Sequence, residues 1–227
     1  MMQVTVVLIS AEAEWRAVKE ILSPQVCHTS GLGEYFPAAD PPGLTFFHGG
    51  WGKVSAAATT QYVIDHFKPD LLVNLGTCGG FEGRVSRGTV ILAERTIIYD
   101  IIEQMGDAAS AITHYGTDLD LSWLPDPIPH PVHRGLLVSA DRDILPADIP
   151  MLVEKYQAVA ADWESGAIAW VAKRNGVRCL ILRAVTDLVS PAGGEAYGNI
   201  DLFHERTGEV MQTLVAQLAD WLPGINR

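Results

Sequence analysis

Three near-continuous apolar runs, residues 4–9 (VTVVLI), 70–75 (DLLVNL) and 178–185 (RCLILRAV), constrain this chain more than any other feature. A strand with one wet face alternates polar and apolar residues. A strand without that alternation is buried on both faces, as in parallel sheets covered by helices. Helical stretches lie between these runs, at residues 11–22, 53–67, 164–175 and 201–222. Shorter strands are predicted at 44–48, 88–93, 95–99 and 135–139, and a further helix at 149–156. Residues 24–42 read as a Gly/Pro loop, 76–80 as a glycine turn, and 105–133 as a long irregular segment of the kind that often carries function. The order predicts an α/β fold: a single domain over residues 1–227, with a central mixed, mainly parallel sheet flanked by helices on both faces. In such sheets ligands sit beyond the carboxyl ends of the strands.

Composition narrows the function classes. Apolar residues make up 48 % and charged residues 19 % of the 227, a globular balance. The formal net charge of −11 repels nucleic acid and anionic membranes, so neither is an expected partner. No apolar run approaches the roughly 18 residues of a membrane span. Met1-Met2-Gln3 puts no basic residue before the first apolar run, which therefore reads as a strand and not a signal peptide. Cys27, Cys78 and Cys179 are odd in number and form no CxxC pair, which fits a reducing, cytoplasmic compartment. His130 and His133 are an isolated pair in a Pro-rich stretch, so no metal is expected.

Chemistry-bearing residues cluster at strand ends. Glu12 and Glu14 follow the first run, and Gly76-Thr77-Cys78-Gly79-Gly80 follows the second. Asp162, Trp163 and Glu164 precede a helix. Arg183 lies inside the last run, with Thr186 and Asp187 at its end. A sheet of this kind can bring all four ends to one pocket. Residues 76–83 lack the strand–turn–helix context of a dinucleotide fingerprint, and residues 49–55 lack the Ser or Thr that follows lysine in a phosphate loop. No GxSxG elbow is present. Each residue also has a plainer reading: Glu12, Glu14 and Glu164 as helix N-terminal charges, Asp187 as a turn residue, Trp51 and Trp163 as core aromatics.

Five stretches, taken in order, resemble a known family: residues 9–14 (ISAEAE), 50–57 (GWGKVSAA), 69–81 (PDLLVNLGTCGGF), 162–167 (DWESGA) and 183–189 (RAVTDLV). They are similar to the purine nucleoside phosphorylase and nucleosidase superfamily, and within it to the 5′-methylthioadenosine/S-adenosylhomocysteine nucleosidases. The resemblance implies hydrolysis of a purine N-glycosidic bond with release of adenine, a place in methionine salvage, no cofactor and a homodimer. It also implies roles. Asp187 matches the general acid that protonates purine N7, which requires a carboxyl pKa above the ordinary value near 4. Glu14 matches the base that activates water, and Glu164 the carboxylate that holds the ribose hydroxyls. Thr77 and Arg183 match positions that place the nucleophile, and Gly76, Gly79 and Gly80 would let backbone approach the sugar. Trp163 stands where the family usually has Met beneath the ribose.

Phosphorylases use arginine against phosphate, and one such position is Asn74 here. Glu12 and Glu14, with no Arg before Arg16, suit water instead. Asp143, beside Ile144, replaces an aromatic or aliphatic residue of the base-flanking loop. Trp51 replaces a smaller residue beside the 5′ substituent, which favours methylthio over the homocysteine arm; Phe203 is expected at the same end. A nucleosidase for another nucleoside such as futalosine, a phosphate-dependent phosphorylase and a non-catalytic nucleoside-binding module stay open as alternatives.

Overall fold

The computed structural model describes residues 3–39 and 42–222. Met1 and Met2 of the expected leaderless start, Asp40 and Pro41 of the expected loop, and residues 223–227 of the expected domain lie outside the described residues. The chain runs β1 (Thr5–Ile9), α1 (Glu12–Leu22), β2 (His28–Thr29), β3 (Glu34–Pro37), β4 (Leu44–His48), α2 (Gly52–Phe67), β5 (Leu71–Phe81) and β6 (Val90–Ile98). It continues with α3 (Ala108–His114), β7 (Thr117–Asp118), β8 (His133–Ser139), α4 (Ile149–Glu154), β9 (Ala158–Asp162), α5 (Ser165–Arg174), β10 (Arg178–Ser190), β11 (Gly193–Gly194) and α6 (Ile200–Trp221).

All strands join one mixed sheet. Its long ladders are parallel: β1 with β4 and β5, β5 with β10, β6 with β8, β8 with β9. Because β10 pairs with both β5 and β6, and β9 with both β5 and β8, five strands close on themselves, while β1, β4, β3 and β2 extend outward from β5. The apolar runs are buried on both sides, as their lack of alternation demands. Val7 and Ile9 of β1 pack in the cluster that holds Trp15 and Val18 of α1 and Met211 and Leu214 of α6. Val6 and Leu8 pack with Ala56 and Val63 of α2 and Ala167 and Ile168 of α5. Helices therefore cover both faces. None of them, among the described residues, is long and apolar enough to cross a membrane.

Some local expectations are overturned. The glycine turn at 76–80 is strand: β5 continues to Phe81, with β10 on one side and β9 pairing at Gly79 and Gly80. A Cβ at Gly80 would lie 2.7 Å from Val185 and from Val85, so glycine here serves tight packing, not chain reversal. The two strands expected at 88–93 and 95–99 are one, β6, with a register shift between Ala93 and Arg95. β9 was not anticipated, since its Ala-rich sequence has little intrinsic strand preference. β2 and β3 fall within the expected loop, and α3 and β7 within the expected irregular segment.

One irregularity positions the site. The β5–β10 register shifts between Val185 and Asp187, so Thr186 is a bulge. A bulge reverses the alternation of side chains beyond it. Leu188 then packs with the cluster of Val185, and Asp187 turns away from it.

Candidate active site

The strand ends converge on one cavity. It has a volume of about 560 Å³ and is lined by Glu14, Trp51, Thr77, Gly79, Asp143, Ile144, Trp163, Glu164, Arg183, Asp187 and Phe203, whereas Glu12, Gly76 and Gly80, also considered from sequence, do not line it. Arg142, Asp162 and Tyr197 also line it.

One wall is a caged ionic cluster. Arg183 is 1 % exposed and meets three carboxylates: Asp162 through Nε at 3.0 Å, Glu164 through Nη2 at 3.3 Å and Glu14 through Nη1 at 3.5 Å. Its guanidinium also donates to Asn74 Oδ1 (2.8 Å), Ser165 Oγ (3.1 Å) and the Thr77 carbonyl (3.3 Å). Burial opposes its charge, but Asp162, Glu14 and Glu164 outweigh that and raise its pKa further. Asp162 is fixed in turn by the hydroxyls of Ser139 (2.6 Å) and Ser165.

Glu14 is held at three points. Its Oε1 accepts from the Thr77 backbone N–H (2.6 Å) and hydroxyl (2.9 Å), and its Oε2 from the Ala11 N–H (3.1 Å). This is the reciprocal arm of a capping box at the start of α1, turned into the cavity. Gly76 makes the contact possible, because a Cβ there would lie 2.2 Å from Arg183 Nη1 and 2.7 Å from Glu14 Oε1. Glu164 Oε1 accepts from the Gly52 N–H at 3.0 Å. Burial pushes the Glu164 carboxyl up to about 8; Arg183 pulls it down, while the Asp162 and Glu14 carboxylates add to the rise.

The other wall is sparse. Asp187, buried beyond the Thr186 bulge, accepts from the Thr186 hydroxyl at 2.8 Å and from the Ala196 backbone N–H, and among the described residues no cation lies within salt-bridge distance of it. Burial raises its pKa above the ordinary carboxylate range, against the pull of Thr186 and of Arg206. A raised pKa moves this carboxyl toward the range in which it can act as a proton donor. Nearer the mouth, Trp51 stacks on Trp163 with ring centroids 5.7 Å apart and planes at 11°. The Tyr197 hydroxyl donates to the Ile144 carbonyl at 2.9 Å.

Several assignments change. Glu12 is outside the cavity: its side chain is 69 % exposed and lies 3.8 Å from His48. Gly76 and Gly80 serve the cluster and the β5–β10 packing, and only Gly79 of the three lines the cavity. Asn74 is fully buried beneath the cluster, donating to the Leu8 carbonyl and accepting from Arg183. Residues 49–55 do meet anionic groups, but these are the chain's own carboxylates: Gly52 N–H binds Glu164 and Lys53 N–H binds Asp141. Trp51 is no core aromatic, being 69 % exposed. Sequence reasoning missed Ser139, Ser165 and Tyr197. Ser165 lies within the family-like 162–167 stretch and Ser139 at the start of the base-flanking segment, but neither was given a role, and Tyr197 sits in a Gly-rich loop that carried no marker of function.

The geometry sets a desolvated carboxyl, Asp187, and an acidic, polar-lined cluster on the walls of one cavity. Such a site supports acid-assisted departure of a leaving group with positive charge developing at the reacting carbon.

Residues 43–220 match the family model described as the phosphorylase superfamily. The 5′-methylthioadenosine/S-adenosylhomocysteine nucleosidase of Maridesulfovibrio salexigens is 30 % identical over 167 residues, covering 67 % of this chain and 71 % of that protein. Two solved structures share the fold. An Asp-to-Asn mutant of the Helicobacter pylori nucleosidase, with 5′-methylthioadenosine in its active site, superposes with a TM-score of 0.79 at 19 % identity, covering 98 % of this chain and all of that one. The futalosine hydrolase of Helicobacter pylori gives 0.78 at 18 % identity, covering 97 % and 98 %.

Proposed function

Because this chain belongs to the phosphorylase superfamily, as a member of its 5′-methylthioadenosine/S-adenosylhomocysteine nucleosidase family, we propose that it hydrolyses the N-glycosidic bond of 5′-methylthioadenosine and releases adenine. Asp187 gives its proton to purine N7 as the C1′–N9 bond breaks. Glu14, with the Thr77 hydroxyl beside it, takes a proton from the water that attacks C1′. Glu164 binds the ribose hydroxyls, and Arg183 fixes both glutamates. Asp143 and Ile144 flank the base, Gly79 lets the ligand approach β5, and Trp163 lies against the sugar. Trp51 and Phe203 border the 5′ group, where the Trp51 ring favours methylthio over a longer arm.

The observation that supports water over phosphate is the occupancy of the cations. Among the described residues lining the cavity the two arginines are already committed, Arg183 to three carboxylates and Arg142 to Asp148 at 2.6 Å. One guanidinium shared among three acidic side chains, of which Glu164 has its pKa pushed up to about 8, leaves no cation on that wall for phosphate, and the acidic surroundings favour an oxocarbenium-like sugar. A second reading, hydrolysis of another nucleoside such as futalosine, is favoured by one feature: a carboxylate, Asp143, on the cavity wall beside the expected base.

The chain forms a homodimer in this reading, and cytoplasmic localisation fits its free cysteines. Trp51, Val54, Ile102 and Met105 are 69, 81, 77 and 98 % exposed, and Lys53 ties the start of α2 to Asp100 beside them. Exposed apolar residues so grouped mark an interface.

The test is chromatography of the products from 5′-methylthioadenosine, S-adenosylhomocysteine and futalosine, with and without phosphate. Adenine and free 5-methylthioribose at equal rates in both buffers, with higher kcat/KM for 5′-methylthioadenosine than for S-adenosylhomocysteine, are expected. A phosphate-dependent sugar 1-phosphate would make the protein a phosphorylase, and turnover of futalosine alone would establish the second reading.

A further inference from the structure

Trp51 and Trp163 lie far apart in sequence but stack on one another, and their chain neighbours are joined by one hydrogen bond. Trp163 immediately precedes Glu164, and Trp51 immediately precedes Gly52. The Gly52 N–H donates to Glu164 Oε1 at 3.0 Å, so each indole is chain neighbour to one end of the same hydrogen bond. Gly52 has φ +83°, a left-handed conformation that suits glycine and turns the chain into α2. The rings stack, and both line the cavity beside the anionic wall. Core filling does not explain the pair, because Trp51 is largely exposed and Trp163 only partly buried.

We propose that Trp163, braced by Trp51, is a further transition-state-stabilising residue, its indole π-face attracting the positive charge that develops on the ribose ring. The proposal rests on the nucleosidase reading. As C1′–N9 breaks, its electron pair leaves with the base, which takes the proton of Asp187. The ring oxygen and C1′ share the positive charge until a water oxygen bonds to C1′ and its proton passes to Glu14. An indole face is the strongest neutral side-chain partner for a cation. It has little to attract in the neutral substrate, so its contribution belongs to the transition state. Trp51 acts through Trp163 and is a positioning residue.

The test compares two ligands of one shape: a 5′-methylthio nucleoside mimic with a cationic pyrrolidinium in place of ribose, and its neutral carbocyclic counterpart. Affinities are measured by calorimetry for wild type, Trp163→Leu, Trp163→Phe and Trp51→Ala, alongside kcat and KM for 5′-methylthioadenosine. Trp163→Leu should weaken the cationic mimic on the order of tenfold more than the neutral one. It should lower kcat by a similar factor and change KM less. Trp163→Phe should recover part of both losses, and Trp51→Ala should show a smaller loss in the same cation-selective sense. Equal weakening of the two mimics by Trp163→Leu and Trp163→Phe would overturn the proposal. Absence of wild-type turnover would overturn the nucleosidase reading, and this inference with it.

Discussion

Arg183 and Asp187 share strand β10, yet one is caged by carboxylates and the other has no charged group within ion-pair distance among the described residues. Arg183 is buried and makes contacts with three carboxylates, two neutral side chains and a backbone carbonyl. Asp187 has hydrogen bonds from the Thr186 hydroxyl and the Ala196 backbone, Arg206 at longer range, and a desolvated surrounding. The Thr186 bulge lies between them and reverses which face of the sheet the side chains beyond it point to. The contrast matches two different jobs. A group that must keep a charge in place is over-determined by partners. A group that must hold and then release a proton is left with burial to raise its pKa and with few bonds to break.

The contrast can be broken from either side. The largest effect is expected from Asp187→Asn, which keeps the shape and removes the proton. It should lower kcat for adenine release by about a hundred- to ten-thousand-fold with little change in fold stability by urea denaturation. Arg183→Met should behave in the opposite way, leaving three buried carboxylates without their cation. We expect about 3–5 kcal/mol of lost stability, with activity falling as a consequence. A smaller loss of stability, about 1–3 kcal/mol, is expected from Gly76→Ala, whose methyl would strike Arg183 Nη1. An unchanged melting temperature in that variant would contradict the tight approach of β5 to the cluster.

The subtlest test is pH. The folded-state pKa of Glu164, about 8, lies above the carboxylate's ordinary 4.5. Between those values the folded chain keeps a proton that the unfolded chain has released, so stability falls as pH rises through that window. Melting temperature should therefore decline from pH 5 to pH 8, and Glu164→Gln should flatten the decline. A wild-type profile as flat as the variant's would show that Arg183 keeps Glu164 ionised.

Much of this was legible in the sequence because the constraints were local or periodic. Unbroken apolar runs can be read as two-sided strands, and β1, β5 and β10 fall where those runs lie. Most of the candidate residues could be singled out because they lie in five stretches that keep a family-like order, whereas Asp143, Ile144 and Phe203 lie outside them. What could not be read depends on partners distant in sequence. Residues 76–80 have the composition of a turn, and only β9 and β10 on either side make them strand. Glu12 and Glu14 look equivalent on paper, yet α1 has one face toward the cavity and one toward solvent, and only Glu14 meets Thr77. Ser139 and Ser165 acquire a role only when the sheet brings them to Asp162. The Trp51–Trp163 stack joins segments more than a hundred residues apart.

The division of labour is tested most directly by a substrate whose leaving group departs without a proton. Wild type, Asp187→Asn and Glu14→Gln should be compared on 5′-methylthioadenosine and on the 4-nitrophenyl glycoside of 5-methylthioribose. We predict that Asp187→Asn is crippled on the nucleoside but retains most of its activity on the nitrophenyl glycoside, while Glu14→Gln loses activity on both. Equal losses for Asp187→Asn on the two substrates would contradict its assignment as the proton donor.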